Sequence, residues 1–353
     1  LTIVDFECDG ERQSAPYLVR GANTVFQPQT YVLALSLMLM SMLCWGSWAN
    51  TMKACPGFRF QIFYWDYVLG LIAGALLWGL TIGSLGSSGL PFFADLLQAD
   101  TSHLWLAIIG GLIFNVANLL LVAAIEIAGL AVAFPVGIGL ALVVGAVSSY
   151  ILSPSGNPVI LFCGIALVVA AIVFDALAYR LREAERRSLS MRGVVISLVA
   201  GVLMGSFYPF VTRAMTGDRA LGPYSIALVF VIGVALCAIP VNYLLMRKPI
   251  DGSAPVAMSD YWKARGSWHL WGIAGGAIWC TGAIFNFVAS RANIVGPAVS
   301  YSIGQGATMI SAAWGVFIWR EFANAPRQSK RFLVWMFVLF LLGLTAIALA
   351  PVL

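Results

Sequence analysis

Four amide side chains, Asn115, Asn118, Asn286 and Gln305, stand inside long runs of apolar residues. An unpaired amide in such surroundings costs a few kcal/mol, so each must find a hydrogen-bonding partner. Asn115 and Asn118 are three residues apart and share one face of a helix, as do Trp45 and Trp48. Together the two pairs could offer hydrogen bonds and a flat stacking surface to a planar polar solute; interhelical amide bonding and a tryptophan pair in a core would use the same residues. Trp279 extends the aromatic set. Among the carboxylates, Asp66 in Tyr64-Trp65-Asp66-Tyr67 and Glu126 are the best placed to carry a proton, because a carboxylate in an apolar setting can exchange one near neutral pH. Asp66 could equally pair with Lys53 or Arg59, and Asp175, beside a basic loop, is expected to pair with Arg182 or Arg187. Pro135 and Pro209 fall within apolar runs and would bend their helices, either lining a cavity or only curving the chain.

The elements that must position these groups follow from composition. Of 353 residues, 61% are hydrophobic and 10% charged, with mean hydropathy +0.91; soluble domains carry about 25% charged residues. A soluble enzyme is excluded, and a polytopic all-α membrane protein is implied. The net charge of +5 does not point to nucleic acid, because the basic residues sit in short loops between apolar runs. Six cysteines without a CxxC pair and only two histidines give no metal centre or disulfide framework. No GxSxG, HExxH or Walker pattern occurs, so neither an enzyme nor an ATP-driven pump is expected, and no cofactor.

Ten apolar segments are long enough to cross a bilayer: Thr30–Met52, Phe63–Leu85, His103–Ile127, Leu130–Leu152, Pro158–Tyr179, Gly193–Arg213, Pro223–Met246, Trp268–Ser290, Ile294–Trp319 and Phe332–Ala350. The third and fourth, and the eighth and ninth, are joined so closely that tight antiparallel hairpins are expected. Residues 1–29 are expected to be a disordered or non-native tail, residues 30–180 and 193–353 two five-helix repeats, and residues 181–192 a basic linker. The loops after the odd-numbered segments hold 15 lysines and arginines and the opposite loops three. The positive-inside rule makes the basic face cytoplasmic and both termini external.

The two halves resemble each other. His103-Leu104-Trp105 precedes Gly110-Gly111, and His269-Leu270-Trp271 precedes Gly275-Gly276; an offset of 165 then aligns Ile113 with Ile278, Ala124 with Ala289, Ile138 with Ile303 and Gly139 with Gly304. Gly46-Ser47-Trp48 answers Gly205-Ser206-Phe207. Five spans per half force the second half to insert inverted, the usual construction of a secondary transporter.

The chain resembles the drug/metabolite transporter superfamily and, within it, the ureide permease family. The resemblance rests on Tyr64-Trp65-Asp66-Tyr67, Gly110-Gly111 with Asn118, Gly129-Leu130 with Pro135, Pro209, and Gln305 with Trp314-Gly315 and Glu321. It implies a ten-helix carrier in the plasma (inner) membrane with a central cavity for small polar solutes such as allantoin, moved with protons, and it carries Trp45, Asp66, Asn118, Pro135 and Gln305 into the site. The segment between the halves is short beside the long plant loop, and Trp279-Cys280-Thr281-Gly282 stands where the plant pattern favours Gly-Asn. Sugar uptake or metabolite export would use the same architecture; a non-transporting sensor or assembly subunit is the third reading. The implied partners are a small-molecule substrate, protons and the bilayer, with homo-oligomerisation left open.

Overall fold

The computed structural model describes residues 25–85, 89–128, 133–182, 190–250, 252–292 and 294–353. The side chains of Glu126 and Pro135, the run Gly129-Leu130, Arg187 and most of the linker lie outside the described residues.

The described chain is helical. Its main helices are α1 (Tyr31–Ser47), α2 (Phe60–Leu80), α3 (Thr101–Ala128), α4 (Gly139–Leu152), α5 (Pro158–Arg182), α6 (Met191–Ala214), α7 (Pro223–Arg247), α8 (Gly266–Arg291), α9 (Pro297–Gly304), α10 (Ala307–Ala313) and α11 (Arg327–Leu349). Local chemistry sets several starts. Thr30 Oγ1 accepts the Leu33 N–H, Ser190 Oγ that of Gly193, and Asn157 Oδ1 those of Val159 and Ile160, while Pro223 opens α7. Eight helices are long and apolar enough to span a membrane, counting α1 through Lys53. Large apolar side chains such as Leu77, Leu236, Ile239, Leu341 and Trp335 are exposed on their outer faces. Such a surface suits lipid rather than water.

The fourth and ninth expected spans come out differently. A π turn, Phe134–Ile138, leads into α4, and the apolar run there is only Val136–Leu152. The ninth is broken: α9 ends at Gly304, Gln305 and Gly306 interrupt the helix, α10 follows, and a second π turn, Trp314–Ile318, closes it. Small residues at the break cost helix stability and admit a neighbouring ring. Two short surface helices, Phe92–Gln98 and Met258–Lys263, stand in loops that the apolar pattern leaves unstructured. Val25 and Phe26 belong to the expected tail yet pack on the body, with the Phe26 N–H donating to the Ile82 carbonyl and its own carbonyl accepting from the Tyr224 hydroxyl.

Helices α1, α2, α8, α9 and α10 form one group and α3, α4, α6 and α7 another, with α5 and α11 paired outside them. The expected α3–α4 hairpin does not close along its length. Each of the two packs instead on α6, and α1 takes the matching place between α8 and the α9–α10 segment. Glycines set the closest crossings. A methyl at Gly111 would strike the carbonyl of Phe230, and one at Gly233 that of Ile108, so α3 and α7 touch main chain to main chain. Gly276 on Tyr67 and Gly70 on Ile273 do the same for α8 and α2.

Candidate functional site

Between the two groups lies a cavity of about 440 Å³. One group supplies Trp45, Trp48 and Met52 from the α1 end, Trp279 from α8, and Gln305, Thr308 and Ser311 from the broken segment. The other supplies Phe114, Asn118 and Ile125 from α3, Ile138, and Met204 and Phe207 from α6. Each comes from the middle of its helix or from the end nearer the basic loops, so the cavity reaches from the centre toward the basic face.

The aromatic wall is held by glycines. Trp45 lies against Gly282 of α8 and Gly304 of α9, where any side chain would collide with its ring. Its indole N–H donates to the main-chain oxygen of Trp279 at 3.2 Å, and the two tryptophans stack with centroids 5.7 Å apart. Trp279 is braced in turn by Phe114 at 4.4 Å and Phe230 at 6.2 Å. Trp48 packs on Tyr67 at 4.8 Å.

The polar groups are few, and none of the described lining residues is charged. Asn118 gives an N–H to the Tyr64 hydroxyl at 3.4 Å, leaving its carbonyl oxygen without a partner among the described residues. The Gln305 amide and the Trp48 indole N–H are likewise uncommitted among the described residues. Thr308 donates to the Gln305 main-chain oxygen at 3.1 Å across the helix break. The cavity therefore presents stacking faces with both donors and acceptors, and no fixed charge among the described residues.

Of the residues singled out from sequence, Trp45, Trp48, Asn118, Trp279 and Gln305 line this cavity together. Asn115 and Asn286 do not. Both are fully buried: Asn115 accepts from the Tyr64 hydroxyl at 2.7 Å, and Asn286 accepts from Tyr208 at 2.5 Å while donating to the Ser300 carbonyl at 2.8 Å. Pro209 sits within α6 without ending it and away from the cavity lining.

The face opposite the basic loops is closed by contacts between the groups. Beyond Tyr208–Asn286, the Tyr301 hydroxyl reaches the Ala141 carbonyl at 3.1 Å, and Arg291 donates to the Leu221 carbonyl at 2.8 Å. At the basic face, Glu321 receives Lys53 at 2.6 Å and Arg182 at 2.8 Å, joining the ends of α1 and α5 to the loop before α11. Burial alone would raise the Glu321 carboxyl, but the hydrogen bonds and charges of Lys53 and Arg182 outweigh it and hold the group below the usual carboxylate range.

These partners correct the expected pairing of Asp66 and the Arg182 alternative for Asp175, Arg187 lying outside the described residues. Asp66 meets neither Lys53 nor Arg59; it accepts from the Tyr261 hydroxyl at 2.6 Å and faces His269 Nδ1 at 2.7 Å. Asp175 does not meet Arg182, which Glu321 takes, and its Oδ1 is buried without a partner among the described residues. Sequence reasoning misses His269 and Tyr261. The His-Leu-Trp repeat flags His269, but only the return of the Met258–Lys263 helix brings Tyr261 onto it.

A helical bundle with an aromatic cavity between two helix groups fits a membrane transporter of small metabolites, and comparison with known proteins agrees. The chain belongs to the sugar transport protein family, whose pattern matches residues 36–350. It is ureide-permease-like: Ureide permease 1 of Arabidopsis thaliana is 22% identical, covering 89% of this chain and 96% of that protein. Ureide permease 4 of the same plant is 21% identical over 87% and 94%. A solved crystal structure, 17% identical, shares the fold with TM-score 0.58, covering 89% of this chain and 95% of its own.

Proposed function

We propose that this chain is a secondary active carrier that takes up a small, neutral, planar polar metabolite, a ureide or a nucleobase, together with protons. The observation that carries this reading is the cavity between the two helix groups. It pairs stacked Trp45 and Trp279 with the carbonyl oxygen of Asn118 and the amide of Gln305, and holds no charge among its described lining residues. A ureide or nucleobase is flat, uncharged and edged with alternating donors and acceptors, so it would stack on the indoles and satisfy the amides. The ureide permeases among the relatives support the substrate class.

The carrier has ten spans arranged as two inverted five-helix repeats, residues 30–180 and 193–353. The reciprocal glycine contacts support this: exchanging each helix for the one five places along turns the Gly111–Phe230 contact into Gly276–Tyr67, and Gly233–Ile108 into Gly70–Ile273. It also turns the group α1, α2, α8, α9–α10 into α6, α7, α3, α4. Such a pair can rock about a central site. The basic face is cytoplasmic and both termini are external by the positive-inside rule, so the cavity described above opens inward.

A second reading, sugar uptake, is favoured by the family's description and by the Trp45–Trp279 stack, which fits a pyranose face equally well. Uptake into proteoliposomes under an inward proton gradient separates the two. Labelled allantoin and uracil are run beside rhamnose and glucose. Accumulation of a ureide or nucleobase that collapses with a protonophore is the expected result; accumulation of a sugar alone overturns the substrate class, and uptake indifferent to the gradient overturns the coupling.

A further inference from the structure

Away from the cavity, the seam between α2 and α8 holds an ionisable cluster. Asp66 is 1% exposed. Its Oδ1 accepts from the Tyr261 hydroxyl at 2.6 Å and its Oδ2 lies 2.7 Å from His269 Nδ1. Gly272 lets α8 close onto the carboxylate, since any side chain there would meet the Asp66 Cβ. The His269 ring is held edge-on by Phe58 at 5.5 Å and Tyr261 at 4.5 Å, and its side chain remains 22% exposed. Histidine is thus the one member of the pair that reaches water.

Among the described residues, the groups around this pair supply no fixed cation. Cys55, from the loop before α2, is the other titratable group within its field; burial and then the Asp66 charge push that thiol above its ordinary value. The same order of causes, burial first, then the hydrogen bond and charge of Asp66, raises the Tyr261 phenol, so it stays a donor. The nearby cations are committed elsewhere: Lys53 to Glu321, Arg59 to Ser253 and the Ala254 carbonyl, and Arg265 over the Trp268 ring. A buried carboxylate with no cation is costly. One proton shared between Asp66 and His269 leaves the cluster neutral whichever atom holds it.

We propose that Asp66 and His269 form a one-proton binding site at the basic end of α2 and α8, reached from water through His269, and that the proton driving transport binds there. The proposal rests on the symport reading given above. Loading forms one O–H or N–H bond from a solvent proton and breaks no other covalent bond in the protein. Two connections carry its effect. Tyr67, next in the chain after Asp66, packs on Trp48 in the cavity wall. Tyr261 ties Asp66 to the connector that follows α7, so changing the charge on Asp66 alters the hold of α2 and α8 on the other helix group.

The chain's only histidines are His103 and His269, which makes a direct test simple. In full-length, ¹⁵N-histidine-labelled His103→Gln protein in nanodiscs, the imidazole signals belong to His269 alone. Asp66→Asn added to this protein is expected to move the His269 Nδ1 resonance, because the carboxylate that this nitrogen faces at 2.7 Å is replaced by an amide. If His103→Gln does not fold, subtracting the spectrum of His269→Gln from that of the wild type isolates the same signal. In proteoliposomes, proton-driven accumulation of allantoin should fall at least about tenfold in His269→Gln and lose its pH dependence, a loss equivalent to one titration unit of coupling. A His269 Nδ1 resonance unmoved by Asp66→Asn overturns the site, as does a His269→Gln carrier whose accumulation keeps the wild-type pH profile. Gradient-independent uptake by the wild-type protein would instead overturn symport, and the nuclear resonance measurement still reads the proton site in that case.

Discussion

Gly276 of α8 lies so close to Tyr67 of α2 that no side chain fits between its Cα and the tyrosine's carbonyl oxygen. The contact fixes the helix pair on which the cavity's Trp279 stands, three residues further along α8. Small residues let helix backbones approach this closely where lipid and side chains are equally apolar, so that packing rather than burial holds the helices together. It cannot relax by rotating a side chain, because the obstructing atom belongs to a helix backbone.

Gly276→Ala is therefore expected to destabilise the protein by about 1–3 kcal/mol, the usual cost of overpacking. Its partner across the proposed repeat, Gly111→Ala against Phe230, should cost a similar amount. Gly139→Ala, where an added methyl meets nothing within 4 Å, serves as the control. Thermal unfolding of the purified protein in detergent checks all three.

The proposed repeat is legible in the sequence because its marks are glycines at matching spacing in the two halves. Gly110-Gly111 and Gly275-Gly276 mark the two halves there, and the structure places Gly111 and Gly276 on the carbonyls of α7 and α2. The cavity is half legible. Trp45, Trp48, Asn118, Trp279 and Gln305 can be named from residue type in apolar runs, but Asn115 and Asn286 have the same signature and turn away to meet Tyr64 and Tyr208. Three residues separate Asn115 from Asn118, which puts them on one broad face, yet the angle between them is wide enough for only one to reach the cavity. Pairings across long sequence separation are not legible. Lys53 with Glu321 and Asp66 with His269 depend on which helix ends the bundle gathers, and charge proximity along the chain points to nearer, wrong partners.

The stacked indoles give the second prediction. Trp279→Ala removes the ring that Phe114 and Phe230 brace and the face on which Trp45 stacks, so KM for the transported solute should rise at least about tenfold, given about 1–3 kcal/mol for a lost base-stacking contact. Trp279→Phe should recover part of the loss. Gln305→Leu should discriminate between solutes, costing a hydrogen-bonding ureide more than an analogue lacking the matching edge. Uptake kinetics in proteoliposomes read each change.

Acidification should loosen the basic face through Glu321. Lys53 and Arg182 hold its folded pKa below the ordinary value, so the stability this carboxylate adds is fully present above the unfolded value, about 4.3, and is lost as pH falls through the lower folded value. The apparent Tm should therefore drop more steeply below about pH 4.3 in the wild type than in Glu321→Gln, which lacks the titrating group. Equal slopes in the two proteins would show that the Lys53–Glu321–Arg182 network contributes no pH-dependent stability.

The closed face makes the last prediction. Tyr208, from one helix group, donates to Asn286, from the other, while Asn286 also donates to the Ser300 carbonyl in the first turn of α9. Tyr208→Phe keeps the ring and its packing on Tyr301 at 4.7 Å but strands the buried Asn286 oxygen. A buried acceptor left unsatisfied costs about 1–3 kcal/mol, and that cost falls only on the state in which this face is closed. The balance between closed and open should move by about tenfold for each 1.4 kcal/mol. A cysteine placed by Ser302→Cys, in a position now fully buried in α9, reports the change. A membrane-impermeant thiol reagent applied from the non-basic face should label it about tenfold faster in the Tyr208→Phe background, where the 1–3 kcal/mol penalty applies. The rate should return when Asn286→Leu is added, since the leucine has no oxygen to strand. Faster labelling in the double variant than in the single would mean that the pair acts through packing rather than through its hydrogen bond.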